Sequence, residues 1–161
     1  MNIQTRSLLA ALCVCTFSLV AAHAQDAAKI PGMNKAPAAA AEALKKYAAD
    51  NGMKIDKVSV EKHGKVTVYE AALSAEGKPD HEVSVTADGK VKGEEETVQL
   101  DSVPEAPRKA IQENAKGAKI VRVQKIKEDG STTYEAAYLS TKGKTSEVEF
   151  LEDGKVKPEE K

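Results

Sequence analysis

Little in this chain can do redox or thiol chemistry. Its two cysteines, Cys13 and Cys15, both lie in the first apolar stretch, tryptophan is absent, and aromatic residues make up 4% of the 161. That first stretch reads as an export signal peptide over residues 1–24. Arg6 supplies a positive start, Ser7 to Val20 is largely apolar, and Ala22-His23-Ala24 is a small-x-small cleavage site. Leu12 and Val14 precede the cysteines where a lipoprotein signal places a small residue, so simple export is expected. The run is shorter than the about 20 apolar residues that span a bilayer, and nothing later in the sequence reaches that length. Cleavage before Gln25 removes both thiols, which excludes disulfides, Cys-ligated zinc and thiol catalysis from the mature chain.

Charge of either sign is not in excess. Without Arg6, 23 Lys and Arg face 25 Asp and Glu, which gives no electrostatic reason for nucleic acid or an anionic membrane as partner. Only Tyr47, Tyr69, Tyr134, Tyr138 and Phe150 remain as aromatic core material. Units of about 60 residues are marginal alone, so two such units are expected to lean on each other.

What the chain does have, it has twice. Tyr69-Glu70-Ala71-Ala72, Glu82-Val83 and Asp88-Gly89-Lys90-Val91-Lys92 return 65 residues later as Tyr134-Glu135-Ala136-Ala137, Glu147-Val148 and Asp153-Gly154-Lys155-Val156-Lys157. Of 24 aligned positions 11 are identical. The expected organisation is a flexible linker at 25–36, one repeat at 37–97 and a second at 101–161. Each repeat is read as one helix on a four-stranded antiparallel meander, an α+β layer pair.

In the first repeat Pro37 opens a helix through about Asp50, with Ala40, Leu44, Tyr47 and Ala48 on one face, and Asn51-Gly52 stops it. In the second, Ser102-Val103-Pro104-Glu105 matches a capping box. Pro107 must fall among the first unbonded positions, so that helix starts near Pro104 and runs to about Ala115. Four strands follow, around Lys119–Lys127, Thr132–Ser140, Ser146–Leu151 and Lys155–Pro158. Tyr69 and Ala71, like Tyr134, Ala136 and Tyr138, share the more apolar face, which is assigned to the core. At Asp88-Gly89 and Asp153-Gly154 a two-residue turn would put Val91 on the polar side. A three-residue bulged turn instead sets Val85 opposite Val91 and Phe150 opposite Val156, and is preferred.

Val103-Pro104, Ile111, Gly117-Ala118-Lys119-Ile120, Asp129-Gly130, Tyr134-Glu135 and Asp153-Gly154-Lys155-Val156 together resemble the PepSY-like family. The resemblance covers nearly all of 101–161 and is weaker over 37–97. It implies a tandem fold similar to the secreted β-lactamase inhibitor protein. It also implies a secreted or envelope location and a non-enzymatic role, with restraint of a peptidase as the suggested activity. It carries no catalytic residues.

No catalytic set is found in the residues themselves. There is no Gly-x-Ser-x-Gly elbow and no phosphate-cradling loop. Of the histidines only His63, in a turn, and His81, beside Glu82, follow the signal, too few for three or four converging ligands. No metal site and no cofactor are expected. Glu94-Glu95-Glu96 and Glu159-Glu160 read as solvated acidic runs. The solvent face of the sheets is left as the candidate surface. Glu70, Glu82, Lys90 and Lys92 line it in the first repeat, and Glu135, Glu147, Glu149, Lys155 and Lys157 in the second. Glu149 is expected opposite Lys157. A solvated polar face is ordinary for an antiparallel sheet, and this one lacks an aromatic anchor. Three functions stay open: an exported, periplasmic or extracellular protein that binds another protein through this face, a binder of small ligands or divalent cations, and a structural module with no specific partner.

Overall fold

A computed structural model describes residues 30–63 and 65–158. Seven strands run in one sheet in chain order: β1 Lys54–His63, β2 Val66–Ser74, β3 His81–Thr86, β4 Val91–Thr97, β5 Lys119–Glu128, β6 Ser131–Leu139 and β7 Thr145–Leu151. Each neighbouring pair is antiparallel. Two helices, α1 Ala38–Asp50 and α2 Glu105–Asn114, lie on one face. The signal segment 1–24 lies outside the described residues, as do Gly64 and Glu159-Glu160.

The duplication is visible in the pairing. β1 and β2 shift register between Ile55 and Lys57, and β5 and β6 do so between Ile120 and Arg122, the same places at the 65-residue offset. The four-stranded description of each repeat needs correction. Seven strands form a single sheet, because β4 pairs along β5 from Gly93–Glu128 to Thr97–Gln124. In the second half only the Phe150–Val156 bridge stands where a fourth strand was expected over Lys155–Pro158. Continuous backbone pairing is how the two halves lean on each other.

The helices follow their apolar spacing. Ala40, Leu44 and Ala48 of α1 are buried against Ile55, Val58, Ala71, Leu73, Val83 and Val85. Ile111 of α2 is buried with Val103, Val123, Tyr134, Ala136, Tyr138 and Phe150. The tyrosine side therefore faces the helices in both halves, with Tyr69 only partly covered. Helix α2 begins after Pro104, and Pro107 sits in its first turn. Ser102 does not cap it: that residue ends a 3₁₀ turn, Leu100–Ser102, and its hydroxyl donates to the Gln99 carbonyl at 2.7 Å. No side chain caps the helix, and Pro107 stands at one of the first positions whose N–H would have no intrahelical partner.

Both bulged turns form as expected. Val85 opposes Val91 and Phe150 opposes Val156. Gly89 and Gly154 are left-handed, with φ of 84° and 83°. A Cβ at either would come within 2.7 Å of the Ala39 carbonyl oxygen or 2.8 Å of the Ala106 one. Glycine there lets each turn tuck against the start of its helix.

Residues 30–36, expected as part of a linker, are structured. Ile30 and Met33 are buried in the first core, and Met33–Lys35 forms a 3₁₀ turn. The Val58 amide donates to the Pro31 carbonyl at 2.8 Å. The chain passes so close that a Cβ on Gly32 would sit 1.9 Å from the Val58 oxygen. A sequence without periodicity is thus fixed by two apolar anchors and one close backbone contact.

Candidate functional site: the open face of the sheet

Both helices pack on the same side, so among the described residues the other face of the sheet carries none. Alternation along the strands sends Glu70, Glu82, Glu135, Glu147 and Glu149 to this open face, as the sequence pattern predicts. Val68, Ser84, Gln124, Thr133 and Ala137 also point there and are buried without a helix above them. One groove of about 730 Å³ reaches from Val66 on β2 past Lys92 and Glu128 to Glu149, Val156 and Lys157. In a flat sheet β2 and β7 would be five spacings, about 24 Å, apart. The sheet is curled around its open face.

In the second half the carboxylates are paired. Arg122 Nη2 donates to Glu147 Oε1 at 2.7 Å and stands 3.4 Å from Glu135 Oε1. Lys157 Nζ donates to Glu149 Oε1 at 2.9 Å, so the expected cross-strand pair is present. The Thr133 hydroxyl donates to the same Glu149 oxygen. Burial and the Glu147 charge raise the Glu135 pKa, with Arg122 working against them.

The first half is different. Carboxylate oxygens of Glu70, Glu82 and Glu95 lie within 4.8 Å of one another. Glu70 is pushed up to about 8, chiefly by burial and then by the charges of Glu82, Glu61 and Glu95. It shares a side-chain hydrogen bond with Glu61, which a proton on one carboxyl makes possible. The Gln124 amide donates to Glu95 at 3.2 Å. Among the described residues no basic side chain forms an ion pair with Glu70 or Glu82. Three carboxylates this close attract a proton, a metal cation or a cationic side chain.

Glu95 and Arg122 are the members that sequence reasoning missed. Glu94-Glu95-Glu96 is not a solvated run between repeats but the middle of β4. It is tolerated there because Glu94 and Glu96 point to the helix side, where Lys127 stands 3.8 Å from Glu94, while Glu95 alone enters the open face. Alternation applied to the run would have found it. Lys92 reaches the rim of the groove, paired with Asp129 and 3.7 Å from Glu128. Lys90 and Lys155 belong instead to the exposed turns, where Lys155 bonds Asp153 at 2.6 Å.

His81 does not join the carboxylates. His63 ends β1. His81 points to the helix side, away from Glu82, stacked on Tyr47 at 5.7 Å and hydrogen-bonded to its hydroxyl at 2.8 Å. Burial lowers its pKa, with the charges of Glu94 and Glu96 working against it. No helix among the described residues is long and apolar enough to cross a membrane.

No family model matches the chain, and no curated protein does. Solved structures do. A BLIP-like protein of Bacteroides fragilis superposes with a TM-score of 0.53 at 22% identity, over 78% of this chain and 85% of its own. A protein of Bacteroides eggerthii assigned to the periplasm gives 0.58 at 19%, over 75% and 85%. A DUF2874 family protein of Bacteroides uniformis gives 0.57 at 19%, over 75% and 86%. The fold is therefore BLIP-like.

Proposed function

We propose that this chain is an exported, non-enzymatic binding protein whose open sheet face engages another protein outside the cytoplasm. One observation carries the reading: a curled sheet leaves a groove of about 730 Å³ on the face that neither helix covers. The BLIP-like fold supports protein binding, and a neighbour assigned to the periplasm agrees with the signal-like start of the sequence. The PepSY-like resemblance makes a peptidase the first partner class to try. The full mature chain is used as bait on a periplasmic extract or culture fluid, beside a version carrying Glu135→Lys, Glu147→Lys and Glu149→Lys. Partners recovered by the first and lost by the second support the reading. Equal recovery by both removes the face from consideration.

A second reading is favoured by the convergence of Glu70, Glu82 and Glu95 within 4.8 Å, which is the spacing a divalent cation's ligands need. Calcium or magnesium at about 100 times its Kd would then stabilise the fold by about 2.7 kcal/mol. No thermal shift with either ion disposes of it. A purely structural module predicts silence in both assays.

A further inference from the structure

We propose that the open face takes a basic polypeptide segment, its cationic side chains entering the first half as Arg122 enters the second. This rests on the reading of that face as a docking surface and names its partner's chemistry. The chain as a whole is almost neutral, with 24 basic and 25 acidic residues. Its charge is unevenly placed. The strands send Glu61, Glu70, Glu82 and Glu95 to the open face from the first half. Glu128, Glu135, Glu147 and Glu149 follow from the second, against Lys54, Lys57, Lys119 and Arg122. Lys157 and Lys92 add two cations at the edge, each already paired with an acid. A surface of this sign favours a cationic partner and repels an acidic one.

The duplication supplies a comparison inside the molecule. Glu70 and Glu82 become Glu135 and Glu147 at the 65-residue offset, and Lys57 becomes Arg122. In the second half the guanidinium bridges its two carboxylates at 2.7 and 3.4 Å. In the first half Lys57 forms no ion pair with either glutamate among the described residues, and Glu95 crowds the same space. A guanidinium presents its donors in a rigid planar fork where an ammonium is a compact point charge, so an incoming arginine can supply the bridge that Lys57 does not. The adjoining groove, bordered by exposed Val66 and Val156, is longer than a lone ion requires and suits an extended segment.

The test uses fluorescein-labelled hexa-arginine as probe, with hexa-glutamate as its opposite, and reads anisotropy on the full mature chain at about 50 mM salt. Saturable binding of hexa-arginine alone is expected. It should weaken at least about tenfold in Glu70→Gln/Glu82→Gln/Glu95→Gln and stay unchanged in the helix-face control Glu42→Gln/Glu113→Gln. Glu70→Gln alone, which keeps the shape of the side chain, should weaken it in the same direction if the triple variant fails to fold. No saturable binding, or binding indifferent to these glutamates, overturns the proposal. So does displacement of the probe by millimolar calcium chloride with a saturable thermal shift, because the carboxylates then hold a metal. A captured partner that needs the open face but docks through an acidic or neutral segment also overturns it, while leaving the docking reading intact. Capture indifferent to the face defeats the docking reading itself.

Discussion

Arg122 donates to Glu147 at 2.7 Å across two strands, while Lys57 and Glu82, the same two positions in the first half, form no ion pair. The open face is thus electrostatically satisfied at one end and under-compensated at the other, although a single ancestral pattern underlies both.

Arg122 and Glu147 are each about half exposed, at 44% and 49%, so solvent screens the bridge. Arg122→Met should cost less than about 1 kcal/mol in a urea titration. The same substitution removes the charge that holds Glu135 down. The Glu135 carboxyl should then titrate higher, as followed by NMR.

Glu70 supplies a pH dependence of known sign. Its carboxyl is raised from 4.5 to about 8 in the folded chain, by burial first and then by neighbouring acids. The folded protein holds more protons than the unfolded chain between those values. This group's contribution is therefore present at acid pH and is lost as pH rises from about 4.5 through about 8. Glu70→Gln should flatten that decline and leave the variant more stable than the parent at pH 9. Denaturant midpoints at pH 5, 7 and 9 check it, and a parallel decline in both proteins would contradict it.

Met33 is the test of the structured entry segment. It is 4% exposed within the first core, so Met33→Ala should cost about 2–5 kcal/mol from lost contacts and the cavity left behind. A true linker would show no change in the urea midpoint.

In the second core the Tyr138 hydroxyl donates to the Ile111 carbonyl at 3.1 Å, tying β6 to α2. Tyr138→Phe leaves that carbonyl short of a partner and should cost about 1–3 kcal/mol. Chemical denaturation measures it. The first half has Leu73 at this position, buried without a polar tie.

The tyrosine side and the bulged turns were legible because two copies of one pattern vote on each face, although Val91 and Val156, the residues that the bulge was expected to keep off the polar side, both stay exposed. The register shift at Ile55 and Ile120 was not, since a bulge changes no residue type. The single sheet was hidden by Glu94-Glu95-Glu96. Three acids in a row look solvated until Lys127 and Gln124 of β5 are seen beside them, and those partners lie about 30 residues further on. The core role of Ile30 and Met33 was hidden for a related reason. Two apolar residues among Gly, Pro and Lys have no period, and only the fold shows that Val58 waits for them. On the candidate surface the duplicated glutamates could be read directly. Arg122 could not, because its importance comes from reaching across β6 to β7.

The most direct measurement is site-specific photo-crosslinking in cells that make the protein. A benzoylphenylalanine replaces Glu82 or Glu147 on the open face, or Glu42 or Glu113 on the exposed helix surfaces. Discrete protein adducts at 82 and 147, with none at 42 and 113, are the expected result. Adducts confined to the helix surfaces, or spread equally over all four positions, would contradict a docking role for the open sheet.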